Sequence, residues 1–215
     1  MAISRVGSGS AQATTISIPT HAIGDLIIIS AGRNNTTTPT IPSGWVSQAS
    51  ASVSGLSHIV GWKIAKTTSE TSGTWTNAAV LHVAVYRGSG GSLCVPNSST
   101  AGATSTSINY ASVATYKTGV LDNWYFAHVI QLNSANSLET APTGMANINV
   151  ESSSGVWKSV IHDTNASQLS NWSSTNVTVA TSAAYRSAVL QIIEFDAPAY
   201  GGGFRPVNIR GGADQ

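Results

Sequence analysis

Gly24-Asp25-Leu26-Ile27-Ile28-Ile29-Ser30 leads through a polar run to Pro42-Ser43-Gly44-Trp45. About 100 residues later Asn123-Trp124-Tyr125-Phe126-Ala127-His128-Val129-Ile130 leads through a polar run to Pro142-Thr143-Gly144-Met145. A long apolar strand followed by a Pro-x-Gly turn is a physical unit, because Pro presets one φ angle and Gly accepts positive φ. A fixed internal period bears on architecture before any single residue does. Here it predicts two similar strand sets, about 14–88 and 105–197, and it points to no chemistry by itself.

Working outward, helical periodicity is nearly absent. Short runs rich in Val, Ile and aromatics are bounded by Gly, Pro, Asn and Ser, which is the strand pattern. Strands are expected at 14–18, 25–32, 45–53, 57–65, 73–76 and 79–87, then at 106–113, 123–132, 146–152, 155–162, 176–180 and 187–196. Leu26–Ile29 and Val189–Ile193 are apolar on both faces and belong in central or doubly covered strands. In Val80–Tyr86, Leu81, Val83 and Val85 share one face and His82, Ala84 and Tyr86 the other. Asn147–Glu151 alternates as a half-exposed strand does. The first strand of each set is read at Thr15-Ile16-Ser17-Ile18 and Thr106-Ser107-Ile108-Asn109.

Each half alone has few large apolar side chains and a marginal core. The expectation is therefore one all-β domain over 1–198. It is an antiparallel, jelly-roll-like β-sandwich in which the two pseudo-repeated sets interleave around a shared core. The Gly/Ser/Thr-rich segment 88–105 is either a flexible linker or a long crossover. Residues 199–215 form a Gly-rich arm. Such an end either frays or orders against a neighbouring subunit, with Phe204, Arg205, Ile209 and Arg210 as contacts.

Composition narrows the function. Charged residues are 9% of the 215 and the net charge is +1, while 41% are hydrophobic and about a quarter are Ser or Thr. Disorder needs low hydrophobicity with high charge, so an uncharged polar surface over a β-rich core is expected. Nucleic acid as a partner requires clustered Lys and Arg, and the 10 basic residues are scattered. No run approaches the roughly 20 apolar residues of a membrane-spanning helix, and no secretory signal opens the chain, so synthesis in a cytoplasm is expected. The single cysteine, Cys94, excludes an internal disulfide.

Catalytic patterns are lacking. The histidines (His21, His58, His82, His128, His162) are dispersed without metal-ligand spacing, and no cofactor is expected. His82 and His128 sit in apolar strands, where a hydrogen-bonded core role is usual. Glu194-Phe195-Asp196 is the nearest approach to a glycosidase carboxylate pair, but it ends a strand and has no third acid. There is no Gly-x-Ser-x-Gly elbow, and Gly7-Ser8-Gly9-Ser10 reads as a polar N-terminal stretch. Six tryptophans (Trp45, Trp62, Trp75, Trp124, Trp157, Trp172) could stack on sugars, although most fall inside expected strands, where core packing is the default.

Taken in order, Gly24-Asp25-Leu26-Ile27, Pro39-Thr40-Ile41-Pro42-Ser43-Gly44-Trp45, Val60-Gly61-Trp62-Lys63-Ile64-Ala65 and Val83-Ala84-Val85-Tyr86-Arg87-Gly88 resemble a family of tailed-bacteriophage virion proteins. The resemblance covers about 25–196 and is most specific in the first half. It implies a β-sandwich structural component without catalytic residues, made in the host cytoplasm, released by lysis and resident in the virion. Its partners would be the major capsid protein, other virion proteins or further copies of itself. Without a stalk, heptad run or collagen-like repeat for trimerisation, a capsid decoration protein is favoured. The alternative is a tail- or fibre-associated module that binds a host receptor or glycan.

Overall fold

The computed structural model describes residues 3–53, 55–116, 120–168 and 170–195. Among these there is no helix, and so none long and apolar enough to cross a membrane. Two antiparallel sheets pack face to face. The first contains β1 (Ser4–Ala11), β2 (Leu26–Arg33), β3 (Val46–Val53), β4 (Leu56–Ile64) and β5 (Val80–Arg87), in the order β1-β5-β2-β4-β3. The second contains β6 (Ser92–Cys94), β7 (Ser98–Tyr110), β8 (Val120–Gln131), β9 (Ala146–Ser153), β10 (Trp157–Asp163) and β11 (Thr175–Phe195). Its order is β6-β11-β8-β10-β9, with β7 also paired to β11.

The internal repeat is present in the topology. The run β5-β2-β4-β3 of the first sheet has the same order as β11-β8-β10-β9 of the second. Gly44 and Gly144 both adopt positive φ, at 84° and 90°, just before β3 and β9. Gly55 and Gly155, both at φ 72°, turn the two equivalent hairpins. An L side chain rarely adopts such angles, which explains glycine at matched positions. Across the interface β5 faces β10 and β4 faces β11, while β1 faces β9 and β3 faces β7. Exchanging the halves maps these contacts onto one another, so the sandwich has a pseudo-two-fold axis.

The halves do not interleave, contrary to the sequence expectation. Each forms its own sheet, and the shared core lies between them: Leu26, Ile28, Val60, Ala84 and Tyr86 on one side, Trp124, Phe126, Ile161, Leu190 and Ile192 on the other. Each sheet also carries a second apolar layer on its outer face. On the first sheet Ile27, Ile29, Leu81, Val83 and Val85 are covered by Trp75, with Ile16, Ile18, Ile41 and Trp45 around it. On the second, Tyr125, Ala127, Val129 and Val189 are covered by Val113, Leu138 and Trp172. This double coverage is why Leu26–Ile29 is apolar all round. It also bears out central placement, since β2 lies between β5 and β4, and β11 between β8 and its β6 and β7 partners.

Several expected boundaries are corrected. Segment 14–18 is not a strand; Ile16 and Ile18 alternate because they pack on the outer face of the first sheet. The Ile16 N–H is donated to Ser72 Oγ, outside any sheet ladder. The first strand of the first set is β1, which pairs with β5 from Ser4 opposite Arg87 to Ala11 opposite Leu81. Its small residues are needed there, since a Cβ on Gly7 would meet Pro19 at 2.8 Å. Segment 73–76 supplies only a bridge from Thr76 to Thr40.

Segment 88–105 is not a linker, because β6 and the first part of β7 lie in it and both pair with β11. The expected strands 176–180 and 187–196 are one long strand, β11, with residue 196 outside the described residues. In β9 the register skips Ile148 between Asn147 and Asn149. That bulge sends Ile148 to the inner core and Val150 to the outer layer, so the simple alternation read from the sequence fails.

Candidate functional site: a buried polar layer and the surfaces

Strand parity brings the dispersed histidines together. Inward-facing positions alternate along each strand, and one level of the sandwich collects Ser30 (β2), His58 (β4), His82 (β5), His128 (β8) and Ser159 (β10), all fully buried. The level is bounded on one side by the main inner core and on the other by Leu56, Val80, Ile130 and Trp157. It straddles the pseudo-two-fold axis. Ser30 lies opposite Val60 on β4 as His128 lies opposite Ile161 on β10, so the two halves place a serine and a histidine at equivalent positions.

Ser159 Oγ bridges two of the rings, 3.0 Å from His82 Nε2 and 2.9 Å from His128 Nε2. Its hydroxyl also lies 3.3 Å from the Val129 carbonyl, to which it can donate. The His58 and His128 rings are 5.4 Å apart and those of His82 and His128 5.9 Å. Both nitrogens of His58, Nδ1 of His82 and of His128, and Ser30 Oγ have no hydrogen-bond partner. Burial holds His58 and His82 down to about 3 and His128 well below its ordinary value. The rings are therefore neutral at physiological pH. Among the described residues no three His, Cys, Asp or Glu side chains are placed to hold a metal ion. The layer contains no carboxylate to orient a Ser–His pair in the manner of a catalytic triad. His162 belongs elsewhere, on the outer face of β10 with Nε2 3.3 Å from Tyr110 Oη.

Buried charges sit at strand ends. Arg5 Nη1 donates to Asp163 Oδ2 at 2.7 Å, and Tyr86 Oη donates to the same oxygen at 3.2 Å. Asp163 is thus an inter-sheet anchor. Arg87 makes a two-pronged contact to Asp25 at 2.8 and 2.7 Å. Glu194 is fully buried, and its Oε1 accepts from the Gly90 and Gly91 N–H groups at 3.0 and 2.7 Å. Ser89 Oγ donates to the same carboxylate, whose oxygens are therefore engaged in holding the β5–β6 turn. Glu194→Ala removes the acceptor of the buried Gly90 and Gly91 N–H groups and of the Ser89 hydroxyl. It is expected to destabilise the fold by about 1–3 kcal/mol, read from the urea midpoint.

Of the six tryptophans, Trp75, Trp124, Trp157 and Trp172 are buried, which removes them as a sugar platform. Trp45 and Trp62 are half-buried. Lys63 Nζ lies 4.7 Å from the Trp45 ring centroid. Trp62 donates to Gln48 at 3.0 Å and lines an open cleft of about 430 Å³ with Val46, Lys63, Lys66 and Glu70. A larger cleft of about 850 Å³ lies between the end of β1 and segments 15–18 and 70–74 and is lined mainly by Ser, Thr and Gly. Phe204, Arg205, Ile209 and Arg210 lie outside the described residues.

Two of the outermost strands are free of charge, β3 (VSQASASV) and β7 (SSTAGATSTSINY). Indeed the sequence carries no charged residue between Arg87 and Lys117. No protein family, curated protein or solved structure matches the chain.

Proposed function

We propose that this chain is a structural component of a tailed-bacteriophage virion, and within that class a decoration protein bound to the outer capsid surface. It acts through its surface, without a reaction centre or cofactor. The observation that carries the reading is the pair of uncharged outer strands, β3 and β7. Monomeric proteins commonly protect sheet edges with charged residues, and particularly with lysine. A protein packed among neighbours has less need of that protection, and a net charge of +1 gives little resistance to association. The ordered Gly-Asp-Leu-Ile, Pro-Ser-Gly-Trp and Tyr-Arg-Gly segments of the first half support the same class.

The test is cosedimentation with purified phage heads. The full chain is expected to bind, and the chain lacking 199–215 to lose binding. Equal occupancy by the truncated chain removes the arm from the interface, and absence of binding by both rejects capsid decoration. A second reading, a tail-associated glycan-binding module, is favoured by the half-buried Trp62 beside exposed Val46 in one cleft. Glycan-array binding that is lost in Trp62→Ala would support this alternative.

A further inference from the structure

We propose that the His58–His82–His128 layer is an acid trigger, and that proton uptake by these rings releases the packing of one sheet against the other. Three rings from three strands meet in the interface at 5.4 and 5.9 Å spacing; one serine hydroxyl joins His82 and His128, and His58 packs beside His128 with no hydrogen bond. The groups facing them are few. β2 contributes Ser30, and β11 contributes Arg186, whose positive charge acts on His58; β10 contributes Ser159 and, on its outer face, the buried His162, whose charge when protonated acts on His82 and His128. Arg186 itself donates to the Ser52 carbonyl of β3. The inner-face carboxylate on β10, Asp163, stands two inward positions beyond Ser159 and is engaged by Arg5 and Tyr86. A proton on any ring would thus place a cation among neutral imidazoles and one arginine, with no counter-ion in the layer. Buried charges without a partner are not tolerated in a packed core.

The fold supplies what the trigger acts on. The layer lies between the sheets, whereas each sheet keeps a separate apolar covering on its outer face. Loss of the inner packing therefore leaves each sheet with a core of its own. The sign follows from burial. The neutral rings bind fewer protons in the folded state than in the unfolded chain, where the ordinary value is about 6.5. Stability present above that pH is lost as pH falls from about 6.5 towards 3, at up to one proton per ring.

Urea unfolding of the full chain from pH 7.5 to 4.5, followed by tryptophan fluorescence, tests this. The wild type is expected to show a falling midpoint below pH 6.5. His82→Leu/His128→Leu is expected to flatten that dependence by about two protons, and an unchanged slope overturns the proposal. Histidine-ring NMR of the wild type gives a measurement that requires no variant. The three rings are expected to stay neutral in the folded protein and to change together at one acid transition. Independent titration near 6.5 with the sandwich intact overturns it. At that transition, dye binding with retained far-UV strand signal is expected for parting sheets, and simultaneous loss of the strand signal rejects that step. Zinc that perturbs the same ring resonances at pH 7 and raises the urea midpoint would make the layer a metal site and overturn the trigger.

Discussion

Trp75→Ala is expected to lower the free energy of unfolding by about 3–5 kcal/mol, the range for removing a buried aromatic from a core. Trp75 belongs to no strand. It lies on the outer face of the first sheet, where its fully buried ring packs with Ile27, Ile29 and Val83. Trp45 meets it edge-on with centroids 5.4 Å apart. Its Nε1 donates to the Ser72 carbonyl at 3.1 Å, and its backbone N–H donates to the Thr14 carbonyl at 2.8 Å. One residue thus pins segments 14–18 and 72–76 over an otherwise exposed apolar face, the first through its backbone N–H and the second through its ring. Alanine would leave that face open and release the loops that shield it. The measurement is chemical denaturation of wild type and variant. A loss under about 1 kcal/mol would mean that the loops collapse into the gap, against the spread seen for core truncations.

Asp163→Ala has the second large effect, an expected loss of about 2–3 kcal/mol, as when a buried acceptor of a charged donor and a hydroxyl is removed while the Arg5 side chain keeps partial access to water. The carboxylate is fully buried, and alanine strands both the Arg5 guanidinium and the Tyr86 hydroxyl. Asp163→Asn keeps an acceptor for both donors and is expected to cost less. The reason lies in the environment: burial raises the carboxyl above its ordinary value of 3.8, against the lowering effect of Arg5 and Tyr86. The folded state therefore binds this proton more tightly than the unfolded chain does, and ionisation of Asp163 removes stability as pH rises through its titration. That is opposite in sign to the histidine layer. In Asp163→Asn the acid side of the stability profile should fall more steeply than in wild type, because the opposing contribution has gone. An unaltered profile would mean that Asp163 titrates in the folded state as in the unfolded chain.

Legibility from the sequence followed burial. Strands with a long apolar signal, β2, β4, β5 and β8, were readable within a few residues, because both faces or one full face must be apolar. The Pro-x-Gly turns marked the repeat for the same local reason. β1 was not readable, since Ser4-Arg5-Val6-Gly7-Ser8-Gly9-Ser10 has no apolar face and is held by pairing to β5. The first part of β7, before the expected strand at 106–113, was hidden likewise, as a Ser/Thr/Gly run paired to β11 resembles a linker. Non-local hydrogen bonding, not side-chain character, makes these segments strands.

The histidine layer was half legible. The place of His82 on one face of β5 followed from alternation. Its meeting with His58 and His128 depends on sheet order and facing, which no local pattern encodes. The bulge in β9 shows the same limit, because a skipped register position reverses which face a residue serves.

The division of the two sheets between the two halves of the chain also affects synthesis. All five strands of the first sheet lie before Gly88, so that sheet can close while the second is still being translated. The 128 residues after Arg87 (215 − 87) take roughly 6–25 s to add at bacterial or eukaryotic elongation rates. Through that interval the inner face of the first sheet waits without its partner, and an apolar face left waiting on a ribosome invites association with other nascent chains. Ser30, His58 and His82 cross the middle of that face as a water-binding stripe. Ser30 Oγ, both His58 nitrogens and His82 Nδ1, which lack partners in the finished sandwich, are hydrated on the nascent half, and they keep the waiting surface from being continuously greasy.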